Sequence, residues 1–194
     1  MSESPEPLAD TQPDSGRREL VKWLWRLPVI GVLVGGTFGL YEVYQTQFRK
    51  RRPSSAPIFI DEGRERVAPL SDLSEPWSNV GFTYANTPAY AIRLSEPVPG
   101  GLSVNGAHYA AYSRVCTHLG CIVNYTDNLE LLSVSYNHRT QTPALACRCH
   151  FSVFVPQESG RAVSGPATEP LPRVRLEVEG DTLYATGLEQ LPES

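Results

Sequence analysis

The chain has 194 residues and a formal charge of −4, with 17 Lys and Arg against 21 Asp and Glu. That balance lacks the basic excess a nucleic-acid partner would demand, and the length fits one ordinary domain plus an extra segment. Seventeen Pro and 15 Gly favour a loop-rich β domain over a helical bundle. All four Cys fall inside two short motifs, which points to metal binding, a disulfide, or both.

Residues 1–16 are polar, with three Pro and four acidic side chains. They cannot bury enough apolar surface to fold and are expected to form a disordered tail. The segment 17–44 opens with Arg17-Arg18-Glu19-Leu20-Val21-Lys22 and turns strongly apolar, with no charge from Leu27 to Tyr41. As a helix, Trp23 to Tyr44 would measure about 33 Å at ~1.5 Å per residue, enough to cross a bilayer. Trp23, Trp25, Tyr41 and Tyr44 stand where an interfacial aromatic belt belongs. Arg17, Arg18, Lys22 and Arg26 precede the span and Arg49, Lys50, Arg51 and Arg52 follow it, so charge counting gives no orientation. The Arg17-Arg18 pair resembles a twin-arginine export signal. Basic residues after the span leave no convincing cleavage site. The expectation is therefore an uncleaved, single-pass signal-anchor with a cytoplasmic N-terminus and the bulk of the protein on the outer face of the cell membrane.

Residues 45–57 carry four basic side chains, two Pro and two consecutive Ser, and read as a flexible linker. The head follows over 58–190. Tyr90–Leu94 and His108–Val115 are strand-like, with turn signals at Pro97–Gly101 and Asn105-Gly106. Val174–Val178, the turn Glu179-Gly180-Asp181 and Thr182–Ala185 read as a hairpin with one buried face. Asn124–Asn128 and Asn137-His138 are turn candidates. His138 is a possible extra ligand or surface contact, but neither it nor His108 has a Cys at ligand spacing, so His138 is expected to be an exposed loop residue and His108 an ordinary strand residue.

Two motifs carry the chemistry: Cys116-Thr-His-Leu-Gly-Cys121 and Cys147-Arg-Cys-His150. Each sets a thiolate and an imidazole on one short loop and adds a second Cys. Three chemistries fit. A Cys2His2 zinc site would leave Cys121 and Cys149 without a role. An all-Cys iron–sulfur cluster would leave His118 and His150 unexplained. A Rieske centre, with two thiolates on one iron and two imidazoles on the other, leaves two Cys free to bond each other.

These boxes, C-T-H-L-G-C and C-x-C-H-x-S, resemble those of the Rieske iron–sulfur proteins of cytochrome bc-type complexes (quinol–cytochrome c reductases). Ser164-Gly165-Pro166-Ala167 resembles the proline-rich loop that covers the family's cluster, and anchor, linker and β head match its layout. The resemblance implies an all-β fold: an antiparallel β-sandwich head with a small cluster-binding subdomain at about 114–168, behind one transmembrane helix. It implies one [2Fe-2S] cluster per chain, with Cys116 and Cys147 on the buried iron and His118 and His150 on the outer iron. It implies a Cys121–Cys149 disulfide, and Leu119, Ser152, Phe154, Gly165 and Pro166 around the cluster.

Replacing two thiolates by neutral imidazoles makes adding an electron easier. Rieske potentials span about −150 to +300 mV, against about −400 mV for plant-type ferredoxins. His118 and His150 would contact quinol and accept its proton. Phe151 replaces the family's usual Gly. Phe154 replaces a Tyr that donates to a Cys sulfur in high-potential members, so a lower potential suited to menaquinol is expected. The function implied is one-electron transfer from membrane quinol to a cytochrome c-type heme, as the electron-transfer subunit of a quinol-oxidising oxidoreductase with cytochrome b-type and c-type partner subunits. The alternative is the Rieske small subunit of a periplasmic oxidase such as arsenite oxidase.

Overall fold

The computed structural model describes residues 15–47 and 49–191. The chain divides at Gln47 into two units. The first is one helix, α1 (Ser15–Gln47). It begins inside the expected tail, the rest of which lies outside the described residues. Its Arg18–Tyr44 stretch has a mean hydropathy of 1.4, long and apolar enough to span a membrane. Pro28 sits inside it, and Thr37 folds its hydroxyl back onto the Leu33 carbonyl at 2.9 Å, so the apolar run carries no stray polar group there.

The second unit is mostly β. Its strands are β1 (Phe59–Ile60), β2 (Glu65–Pro69), β3 (Asn79–Tyr84), β4 (Thr87–Leu94), β5 (Leu102–Val104), β6 (Ala107–Ser113), β7 (Val123–Thr126), β8 (Ala144–Cys147), β9 (Val153–Val155), β10 (Arg161–Ser164), β11 (Arg173–Glu179) and β12 (Thr182–Glu189). The larger antiparallel sheet runs β1-β12-β11-β6-β4-β3, with β2 beside β12 and β5 beside β6. The expected hairpins are present. Asn105 and Gly106 both take positive φ between β5 and β6, and Glu179 pairs with Thr182 across the last turn.

The smaller sheet runs β10-β9-β8-β7. One core joins the two sheets through Ile92, Tyr112, Phe154 and Leu171 and includes Cys116 and Cys147. Tyr112, wholly buried, donates its hydroxyl to the Pro156 carbonyl at 2.7 Å. The turn expected at Asn124–Asn128 is instead the strand β7 followed by α2 (Leu129–Ser135). The Asn128 side chain caps that helix by accepting from Leu131 N at 2.9 Å, and Leu132 anchors it in the core.

The segment expected as a flexible linker is, from Lys50 on, sewn to the head. Arg51 N donates to Thr168 O at 2.8 Å and Gln190 N to Ile58 O at 3.0 Å. The reason lies partly in Arg173. Its guanidinium is buried against Glu189 at 2.5 Å, and its remaining donors take the carbonyls of Ser54 and Pro99 at 3.0 and 2.9 Å. A buried guanidinium needs those acceptors, and residue 54 supplies one of them.

Candidate metal centre

Both motifs border the small sheet, and each is a tight loop closed by the backbone of its first Cys. The first joins β6 to β7. Cys116 N donates to Cys121 O at 2.8 Å, and Gly120 N to Cys116 O at 2.8 Å. The Val115–Ile122 bridge closes its base. The second follows β8, where Cys147 N donates to Ser152 O at 2.8 Å. Phe151 in this loop has a φ of 60°. That left-handed conformation explains the family's usual Gly there, and here the ring is held edge-on to Tyr136, with centroids 5.6 Å apart.

Cys121 and Cys149 form a disulfide between the two loops, with Cα atoms 6.5 Å apart. Cys116 and Cys147 stay reduced and are 3% and 1% exposed. Burial, aided by the neighbouring Cys147, pushes the Cys116 thiol up to about 11, against hydrogen bonds from the loop backbone. The His118 and His150 rings meet edge to face, with centroids 4.8 Å apart. Nδ1 of His118 is buried without a hydrogen-bond partner among the described residues. Leu119 beside it is 69% exposed, and Phe151 is 52% exposed.

This donor set can be tested against the candidate cofactors. The disulfide removes two of the four thiols, so an all-Cys cluster no longer has enough ligands. An orphaned buried imidazole nitrogen is costly unless a partner takes it up, and the two buried thiols become soft metal ligands once deprotonated. Two sulfurs and two nitrogens suit a mixed-ligand iron–sulfur cluster, and by type alone they also suit zinc. Cys147 Sγ also lies within 4.8 Å of both disulfide sulfurs, which are spent as ligands while bonded to each other.

Comparison with known proteins decides the matter. The chain matches the Rieske [2Fe-2S] domain over residues 67–175, more than half its length. The protein belongs to the Rieske [2Fe-2S] family. Its cofactor is the [2Fe-2S] cluster, and it works in electron transfer.

Among its relatives is the putative respiratory nitrate reductase Rieske subunit of Haloferax mediterranei, 28% identical over 96% of this chain and 84% of that one. The iodate reductase subunit IdrB of a Pseudomonas species is 31% identical, over 66% of this chain and 62% of that one. The cytochrome bc1 complex Rieske subunit of Corynebacterium glutamicum is 32% identical, over 41% of this chain and 17% of its own length. All three are named as subunits of larger oxidoreductases, in keeping with an electron-transfer role for this chain.

Around the cluster site the remaining expected residues fall as follows. Ser152 is buried and its Oγ accepts from Ala167 N at 3.1 Å, leaving its own proton to give. Phe154 is wholly buried in the core shared with Cys116 and Cys147. Gly165 and Pro166 lie in the loop between β10 and β11. A Cβ on Gly165 would come within 2.5 Å of Ser152 Cα, so the loop presses on the second motif. Sequence reading missed Thr117, whose hydroxyl donates to Glu169 O at 2.8 Å and ties that loop to the first motif. It also missed Lys50 and Arg51, whose partners lie more than a hundred residues away.

Proposed function

We propose that this Rieske protein is a membrane-tethered subunit that takes one electron from quinol and passes it to a cytochrome c-type heme, in a complex of the cytochrome bc type. Cys116 and Cys147 would hold one iron of the cluster, and His118 and His150 the other. The cluster supplies a one-electron store whose potential is raised by imidazole ligation. The two imidazoles carry the exchangeable protons at the tip, so proton and electron leave the quinol at one place. Exposed Leu119 gives that tip an apolar rim for a quinol pocket in a b-type partner. Helix α1 is the anchor, with its N-terminus cytoplasmic and the head on the outer face. Phe154, in place of a hydroxyl donor, lowers the potential toward a menaquinol-type donor.

The observation that carries this reading is the pairing of two imidazoles, with ring centroids 4.8 Å apart, on the same two loops that hold two buried free thiols. The test is to solubilise membranes with a tagged full chain, record low-temperature EPR, and identify what co-purifies. A Rieske signal with b- and c-type hemes, its line shape altered by a quinol-site inhibitor, is the expected result. A signal without cytochromes would refute the bc-type assignment.

A second reading has its own support. The nitrate reductase relative matches nearly end to end, whereas the bc1 relative shares only a short stretch. On that reading the partner is the catalytic subunit of a substrate-specific oxidoreductase, of the class that includes periplasmic oxidases. Co-purification of such a subunit in place of cytochromes would establish it.

A further inference from the structure

The loop 165–169 has two faces. Its inner face touches both cluster-binding motifs. Gly165 packs on the backbone of Phe151 and Ser152, Ala167 N donates to Ser152 Oγ, and Glu169 O accepts from Thr117. Its outer face is held by two consecutive residues of the tether. The Lys50 ammonium donates to the carbonyls of Gly165 and Ala167, the latter at 2.5 Å. Arg51 N donates to Thr168 O at 2.8 Å, and its guanidinium meets the Glu169 carboxylate at 3.0 Å.

Two carbonyls converging on one point repel each other unless a cation with several donors sits between them. An ammonium with three N–H groups meets that need. Lys50 is only half-buried. Burial costs it some hydration and lowers its pKa from the ordinary value, and the two carbonyls offset that cost. A positive charge fixed on the cover also has an electronic consequence. The reduced cluster carries one more negative charge than the oxidised one, so a nearby cation favours reduction.

We propose that Lys50 is a positioning residue for the redox centre: its ammonium clasps the Gly165 and Ala167 carbonyls, seats the covering loop on both motifs, and raises the reduction potential. The tether thereby becomes part of the cluster environment. This rests on the ligand assignment above, which the Rieske EPR signal of the unaltered protein tests by itself.

The experiment uses the full chain in detergent, as wild type, Lys50→Gln and Lys50→Arg. Two readouts are taken: hydrogen exchange at the Ala167 amide, and the midpoint potential from an EPR-monitored titration. In Lys50→Gln the Ala167 amide should exchange about tenfold faster, because a charge-assisted tie on the loop is gone. The midpoint potential should fall in the same variant. Lys50→Arg keeps the charge and should recover most of both changes. The inference is overturned if either readout is unmoved in Lys50→Gln, or if Lys50→Arg behaves like Lys50→Gln. Lys50 lies outside the core, so a lost EPR signal in Lys50→Gln would itself overturn it, by showing that the residue is needed for assembly and not for seating the loop.

Discussion

Gly165→Ala is the sharpest single perturbation the cluster region offers. Gly165 has a φ of 74°, and an added Cβ would lie 2.5 Å from Ser152 Cα and 2.6 Å from both Phe151 O and Ser152 N. All three are backbone atoms, so no side-chain rotation relieves the clash. The left-handed conformation costs Ala roughly 1–2 kcal/mol, and forced overpacking adds about 1–3 kcal/mol. The loop can escape only by rising off the second motif, which draws Ala167 N away from Ser152 Oγ. Gly106 provides the control: its φ is 76° with nothing within 4 Å of an added Cβ. Gly106→Ala therefore carries the conformational cost alone. The assay is thermal unfolding together with the decay of the cluster's visible absorbance at one fixed temperature. Gly165→Ala should lose about 2–5 kcal/mol in all and release the cluster several-fold faster than Gly106→Ala. Equal decay rates in the two variants would refute the claim that this loop seals the site.

Three further outcomes are expected. Phe154→Tyr should raise the midpoint potential with little loss of stability, because Phe154 shares the core with Cys116 and Cys147 and a buried hydroxyl must find a partner or cost about 1–3 kcal/mol. An unmoved potential with reduced stability would mean the ring is not aimed at the sulfurs. Replacing Cys121 and Cys149 together by Ser removes a tie across 28 residues, worth roughly 3–4 kcal/mol by loop-closure entropy; a denaturation midpoint nearly unchanged would contradict it. The third concerns pH. Burial holds the His138 pKa below the ordinary value of 6.5 despite the nearby Glu158. The unfolded chain therefore takes up a proton first. The stability His138 contributes is complete above about pH 6.5 and is lost as pH falls through the lower folded value. Denaturant titrations at pH 7.5 and 5.5 should show a loss that His138→Asn reduces, and parallel curves would assign the effect to other groups.

The chemistry of this protein was legible because it is local. Each motif is a loop six residues long whose thiol, imidazole and turn residue stand close together in the chain, so spacing alone narrowed the cofactor to three choices. The hairpins were legible for the same reason, through alternation in β11 and the Asn105-Gly106 turn. Helix α2 was not, although Asn128 directly before Leu129 is a capping signal; the preceding polar run looked like a turn and turned out to be an edge strand of the small sheet. The fate of the tether was beyond sequence reading altogether. Lys50 and Arg51 look like ordinary basic residues after an apolar helix, and their acceptors, the carbonyls at 165, 167 and 168 and the Glu169 carboxylate, lie more than a hundred residues further along. The unusual Phe151 is the converse case. The sequence marked it as a departure, and the positive φ explains why the departure is costly.

The crowding of sulfur at the site also bears on how the molecule matures. Cys147 lies within 4.8 Å of both sulfurs of the Cys121–Cys149 bond, close enough for a free thiolate there to attack the disulfide and exchange partners. Four cysteines could form any of six single bridges, and only the Cys121–Cys149 bridge leaves Cys116 and Cys147 free for the cluster. If iron claims Cys116 and Cys147 while all four are reduced, a single pair remains for oxidation and the correct bridge forms by default. Oxidation before metal would leave the choice to chance among neighbours. On the ligand set proposed above, the arrangement favours one order of assembly, metal first and disulfide second.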